Sequence, residues 1–213
     1  MAFKDARYLV IEGPIGVGKT SLAQSLAREL SARLILEKVE DNPFLKEFYK
    51  DPKHYGFQTQ IFFLLSRYRQ LQELRQIDLF ERFTLTDYFF PKDRIFASMS
   101  LDGSELALYE QVYALLNPQV PAPDLVIYLQ ASTEVLMERI RHRALEFEQP
   151  MTWEYLEAIN QAYNDYFFRY SDSPLLVIQT SEMDFVNRRE DLDDLVRQIK
   201  QMKKGTQYYV PRK

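Results

Sequence analysis

The sequence predicts a three-layer α/β fold, with a mostly parallel sheet flanked by helices. Three observations carry this expectation. Short apolar runs without alternation recur along the 213-residue chain, as in strands buried on both faces. Segments of helical period lie between them. A glycine-rich stretch, GPIGVGKTS from Gly13, begins where the first apolar run ends and the first helical segment starts.

Five strands are expected, at 8–13 (YLVIEG), 33–37 (RLILE), 82–87 (RFTLTD), 124–130 (DLVIYLQ) and 174–179 (PLLVIQ). Most end on a polar residue. Helix 19–31 places Leu22, Leu26 and Leu30 on one face. Further helices are expected at 57–77, 104–116, 132–144, 152–169 and 188–202, with Ser132 as an N-cap. Pro91 suits the first turn of a helix over 91–99. The chain then reads as one domain over 1–203, with 204–213 as a surface tail; whether Tyr208 and Tyr209 dock on the body stays open.

Composition narrows the function classes. Hydrophobic residues make up 46%, enough for a substantial core. A net charge of -4 argues against general nucleic-acid binding, which needs a basic surface. No cysteine is present, so disulfides and thiolate zinc sites are excluded, and His54 and His142 are too few for a histidine metal cluster. The N-terminal segment carries charges where a signal peptide needs an apolar run, and no stretch reaches the length of a membrane span. These features point to a soluble, cytoplasmic protein without nucleic-acid or membrane partners.

GPIGVGKTS matches G-x-x-x-x-G-K-[ST] through Gly13, Gly18, Lys19 and Thr20. The backbone of such a loop, here Gly13, Pro14, Ile15, Gly16, Val17 and Gly18 followed by Lys19, Thr20 and Ser21, curls around phosphate oxygens at a helix N-terminus. Lys19 neutralises the terminal phosphates, and Thr20 offers a hydroxyl to Mg²⁺. ATP with Mg²⁺ is the expected ligand, although switches and motors share the loop. Glu37 stands at the carboxyl end of the second strand, where ligands of doubly wound sheets sit. It either receives a proton from a substrate hydroxyl or begins a solvated loop.

With these stretches in hand, the chain resembles the deoxyribonucleoside kinases, especially the bacterial deoxyadenosine/deoxyguanosine branch, from about Tyr8 to about Leu195. GPIGVGKTSLA is similar to the family's phosphate loop, and LEKVEDNPFLKEFY to its second block. FQTQIFFLLSRYRQL is similar to a helical block with a glutamine and, seven residues on, an arginine, which selects Gln60 and Arg67. The resemblance implies a P-loop kinase fold with a five-stranded parallel sheet and a short arginine-rich lid at about 141–150. It also implies that Glu37 acts on the sugar 5′-hydroxyl, Gln60 pairs with the base edge and Tyr49 contacts the 3′-hydroxyl. Taken alone, Gln60 reads as a surface helix residue.

RIRHRALEFEQPMTWEYL resembles the lid. Arg139 and Arg143, one helical turn apart, would face the same way and stabilise charge on the transferring phosphoryl group, with Arg141 near the mouth. Glu148 matches a lid glutamate that reaches the 3′-hydroxyl. SEMDFV, at 181–186, resembles a loop against the donor adenine, with Asp184 and Phe185 as contacts and Phe185 stacking; a helix-capping segment is the equal alternative.

One block departs from the family. Many members carry Glu-Arg-Ser after the third strand, where this chain has Thr86, Asp87 and Tyr88. Asp87 can hold Mg²⁺ or its water, and either Lys92 or Arg94 could replace the missing arginine. Phe96 falls where the family places an aromatic against the base. The family's base-discriminating residue falls at Lys92 or Asp93. The reading is then transfer of a phosphoryl group from ATP to the 5′-hydroxyl of a deoxynucleoside, a purine first, by a homodimer paired through helices such as 57–77 and 104–116. A thymidylate-like monophosphate kinase is the second reading, and a non-catalytic nucleotide sensor the third.

Overall fold

The computed structural model describes residues 6–75 and 83–211. Its strands are β1 Tyr8–Glu12, β2 Arg33–Ile35, β3 Thr84–Thr86, β4 Leu125–Gln130, β5 Leu175–Gln179 and β6 Thr206–Tyr209. They form one sheet in the order β2-β3-β1-β4-β5-β6, and every pairing is parallel. The helices are α1 Lys19–Leu30, α2 Leu45–Lys50, α3 Pro52–Arg75, α4 Asp93–Ser100, α5 Gly103–Leu116, α6 Thr133–Arg143, α7 Trp153–Phe168 and α8 Arg189–Gln201. Residues 1–5, Arg82 and residues 76–77 of the expected N-terminal segment, third strand and long helix lie outside the described residues.

Both faces of β1 are buried, which explains its unbroken apolar run. Leu9 and Ile11 join one core cluster with Leu22 and Leu26 of α1, Leu136 and Ile140 of α6 and Leu195 of α8. Tyr8 and Val10 join the other, with Leu64 of α3, Tyr109 of α5 and Tyr163 and Phe167 of α7. Ser132 caps α6, accepting from the Val135 N–H at 3.5 Å, as its position suggests. No helix among the described residues is long and apolar enough to cross a membrane.

Two expectations are corrected. The sheet has six strands among the described residues rather than five, because residues 206–209 of the expected tail pair with β5. Tyr209 packs against the core while Tyr208 is exposed, so one member of the pair docks. The strand is hard to read because only alternate residues are half-buried and the segment opens with KKG. The short helix α2, inside NPFLKEFY, was not anticipated either; Leu45 and Phe48 anchor it.

The strand order places β1 between β3 and β4, so the connections diverge beyond its carboxyl end. That is the crevice where open α/β sheets bind ligands. A chain ending at Lys203 should lose about 2–4 kcal/mol of stability as the β5–β6 hydrogen bonds and Tyr209 packing disappear. Urea unfolding measures the loss, and light scattering should show self-association through the bared β5 edge.

Candidate active site

A cavity of about 520 Å³ opens beyond the carboxyl ends of β1, β2 and β3. Its wall includes Ile15, Gly16, Lys19, Thr20 and Ser21 of the phosphate loop, together with Glu37, Tyr49, Gln60, Arg67, Asp87, Phe96, Arg143 and Glu148. Residues far apart in sequence therefore meet around one space large enough for a small ligand.

The loop owes its path to glycine. Gly16 has φ +85°, and a Cβ there would lie 2.8 Å from the Leu136 carbonyl oxygen of α6. Gly18 has φ +101° and forms the N-cap of α1, with no side chain capping the helix. The helix N-terminus thus keeps its donors for a ligand. The Lys19 Nζ donates to the carbonyl oxygens of Gly13 at 2.8 Å and Pro14 at 3.1 Å. Burial lowers its pKa to about 8, assisted by the positive charge of Lys92.

Asp87 follows β3 and ties two elements together. Its Oδ2 accepts from the Thr20 hydroxyl at 2.6 Å, and its Oδ1 accepts from the Glu37 N–H at 2.7 Å. Burial raises its pKa, against the hydrogen bonds that lower it. A hydroxyl beside a carboxylate is a hard oxygen donor set of the kind that suits Mg²⁺ completed by phosphates and water.

Glu37 lies in a cluster of buried charges. Its Oε1 accepts from the Arg67 Nε at 2.7 Å, and its Oε2 from the Lys92 Nζ at 2.8 Å. Burial alone would raise its pKa; Arg67 and Lys92 outweigh burial and hold it at about 2. Arg67 also pairs with the fully buried Asp93 and lies over the Phe63 ring at 4.7 Å. Gln60 and Arg67 line the same cavity, as their spacing on one helix implies.

Lys92, Asp93 and Arg94 after β3 take different partners. Lys92 is buried and reaches Glu37, whereas Arg94 is half-exposed and pairs with Glu110 at 2.9 Å. Asp93, rather than Lys92, faces Arg67. Phe96 lines the cavity and meets Tyr163 edge-on at 6.1 Å.

The lid departs from expectation. Arg139 and Arg143 diverge despite their spacing, because long side chains follow their partners rather than the helix phase. Arg139 donates to the carbonyl oxygens of Val17 at 3.1 Å, Thr180 at 2.9 Å and Met183 at 3.3 Å, tying α6 to the loops beside the phosphate site. Arg143 pairs with Glu148 at the cavity, and Arg141 is exposed outside its lining. Phe147 stacks on Tyr49, with ring centroids 6.4 Å apart, and Lys46 bridges to Glu146 at 2.7 Å. The lid segment therefore rests against α2.

The 181–186 loop is also corrected. Phe185 is buried against Gly18 rather than open for stacking, and a Cβ at position 18 would meet it at 2.9 Å. Asp184 organises the turn into α8, accepting from the Asn187 N–H at 3.0 Å. This favours the capping alternative for Asp184.

Glu12 was read only as the end of a strand. It is fully buried and accepts from the N–H of Gly13 at 2.8 Å, the N–H of Phe89 at 2.7 Å and the Tyr163 hydroxyl at 3.2 Å. An acid inside an otherwise apolar run, immediately before the loop, was the available signal.

The Lys19 geometry has a pH consequence. In the free protein the ammonium loses its proton as pH rises through about 8, whereas a bound phosphate would retain it. Affinity for inorganic pyrophosphate, measured by calorimetry, should hold from pH 6.5 to 7.5 and then fall by up to about tenfold per pH unit above 8, with proton uptake on binding. Constant affinity to pH 9 would show that Lys19 keeps its proton in the free protein despite its burial.

Comparison with known proteins places the chain in a family. The deoxynucleoside kinase family profile matches residues 9–204. The chain is 34% identical over 202 residues to deoxyguanosine kinase of Bacillus subtilis, covering 92% of this chain and 98% of that one. It is 37% identical over 167 residues to deoxyadenosine kinase of Dictyostelium discoideum, covering 76% and 67%. The solved structure of deoxyadenosine kinase from M. mycoides with bound dATP superposes with a TM-score of 0.79 at 25% identity, covering 90% of this chain and 98% of that one. The chain belongs to the deoxynucleoside kinase family.

Proposed function

We propose that the enzyme phosphorylates the 5′-hydroxyl of a purine deoxynucleoside, with ATP as donor. The observation that carries the reading is the placement of Glu37, Gln60 and the phosphate loop around one cavity. Glu37 accepts the hydroxyl proton, and Lys19 stabilises charge on the phosphoryl group. Thr20 and Asp87 would hold Mg²⁺, which supplies charge neutralisation between the phosphates. Gln60, buried in the wall that Phe63 and Phe96 also line, offers a donor pair and an acceptor to a base edge. Tyr49 and Glu148 border the sugar side, and Arg143 enters from the lid. The purine preference rests on the deoxyguanosine and deoxyadenosine kinases among the relatives.

The other readings have less support. A monophosphate acceptor would bring its negative charge against Glu37, whose neighbouring cations are already paired. The sensor reading rested on the altered block after β3, and that block supplies both Asp87 beside Thr20 and Lys92 beside Glu37. A homodimer through α3 and α5 is supported by exposed Leu65, Leu108 and Leu115 on those two helices. Sedimentation velocity checks it: Leu108→Glu combined with Leu115→Glu should yield monomers.

Assays with each deoxynucleoside should show turnover of deoxyguanosine or deoxyadenosine above the pyrimidines. Turnover of a monophosphate but no nucleoside would sink the reading. Glu37→Gln should leave ATP affinity within about threefold and reduce kcat by about 10²–10⁴. Gln60→Leu should raise the nucleoside KM by about tenfold or more while moving the ATP KM little, because a buried amide partner is lost only on the base side.

A further inference from the structure

Phosphoryl transfer as proposed above gives Glu12 no task, yet its carboxyl group is fully buried at the end of β1. Burying an acid is costly unless its oxygens find donors, and both do. Oε1 accepts from the Gly13 N–H at 2.8 Å and the Tyr163 hydroxyl at 3.2 Å. Oε2 accepts from the Phe89 N–H at 2.7 Å, with the Lys92 ammonium farther off at 3.9 Å.

These donors belong to three separate parts of the site. Gly13 opens the phosphate loop, and its carbonyl oxygen accepts from Lys19 at 2.8 Å, so this residue is held at both its N–H and its C=O. A Cβ at Gly13 would lie 2.5 Å from the Leu129 carbonyl oxygen, which shows how closely the loop is seated on β4. Phe89 lies two residues beyond Asp87, in the segment that leads to α4 and Phe96. Tyr163 belongs to α7; its ring lines the cavity, meets Phe96 edge-on at 6.1 Å and stacks on Tyr128 at 6.3 Å. The sheet does not fix the spacing of these parts. Pairing of β1 with β3 runs from Tyr8↔Thr84 to Val10↔Thr86, and the Glu12–Phe89 bond joins the two chains beyond that register.

On the kinase reading given above, we propose that Glu12 is a positioning residue: by holding Gly13, Phe89 and Tyr163 on one carboxyl group, it sets the distance between the donor loop and the acceptor wall. No bond or proton of the reaction passes through it, and Glu37 keeps the hydroxyl proton. Its effect falls on the approach of the two reactants rather than on the binding of either. Reaction needs the hydroxyl and the γ-phosphorus within a narrow separation, and a misplacement of about 1 Å costs about 100-fold in rate.

Reach and charge separate this role from that of a counter-charge for Lys92. Glu12→Asp keeps the charge but draws the carboxyl group back by one methylene from Phe89 and Tyr163. Glu12→Gln keeps the reach and one accepting oxygen without the charge. Tyr163→Phe keeps the ring and removes the hydroxyl alone. Steady-state kinetics at pH 7 with ATP and deoxyguanosine or deoxyadenosine reads the difference, with thermal melting and pyrophosphate-binding stoichiometry giving the folded fraction. Per folded molecule, Glu12→Asp should lower kcat by about 100-fold, Glu12→Gln by about tenfold and Tyr163→Phe by about fivefold, with the KM of both substrates within about threefold. Faster turnover by Glu12→Asp than by Glu12→Gln would assign the role to charge and overturn the proposal. So would a loss no larger than the loss of folded protein, or a rise in one KM with kcat retained. Should Glu12→Asp fail to fold, the other two variants decide, and kcat within about twofold of wild type in both overturns the role. Wild-type protein that phosphorylates no deoxynucleoside would sink the kinase reading and this role with it; an active wild type with unchanged kcat in the variants removes Glu12 alone.

Discussion

The carboxylate of Asp87 sets the geometry on which the site depends. One oxygen fixes the Thr20 hydroxyl in the first turn of α1, and the other fixes the backbone N–H of Glu37 beyond β2. A single side chain after β3 therefore spaces the N-terminus of α1 from Glu37. Two hydrogen bonds to a largely buried carboxylate hold more firmly than their number suggests, since breaking either leaves a desolvated charge short of a partner. The glycine path of the loop and the uncapped N-terminus of α1 supply the anion site. Asp87 determines where that site lies relative to Glu37.

Buried charge also ties the cavity wall together around Glu37. Arg67 has Glu37 on one side and Asp93 on the other, with the Phe63 ring packed against its guanidinium. Such a pair adds little net stability compared with apolar packing, but removing one partner strands the other at a cost of several kcal/mol, roughly 3–5. The arrangement is better understood as a device for orientation: α3 is locked to α4 through Arg67 and Asp93, and Gln60, two turns earlier on α3, is held in place by the same lock. The lid is held differently. Its contacts with α2 are an exposed Lys46–Glu146 pair, which contributes little in water, and the Tyr49–Phe147 stack.

What was legible in the sequence follows from these differences. β1, β4 and β5 announced themselves because burial on both faces demands an apolar run, while β3, with Thr84 and Thr86 around Leu85, was legible mainly from its polar end. β6 did not, since an edge strand with one half-buried face resembles a polar tail. The phosphate loop was legible because its chemistry needs glycine at fixed offsets. Asp87 was legible from its place at a strand end. The choice between Lys92 and Arg94 was not, because a short 3₁₀ turn over Phe90–Lys92 precedes α4 and sets a phase that no residue pattern reveals. Arg139 misled for another reason: helical spacing fixes where a Cβ points, but a guanidinium several bonds farther out goes to whichever carbonyls are nearest.

Three neighbouring strands, β1, β3 and β2, each deliver an acid at or just beyond their carboxyl ends: Glu12, Asp87 and Glu37. The same functional group receives three environments. Glu12 meets two backbone N–H groups and the Tyr163 hydroxyl, which hold its carboxyl group in place. Asp87 meets one backbone N–H and one hydroxyl, leaving lone pairs for a hard cation. Glu37 meets two buried side-chain cations, Arg67 and Lys92, and still lines the cavity. Their place at the carboxyl ends of neighbouring strands brings the acids together, and the donors each one meets decide what it has left to offer a ligand.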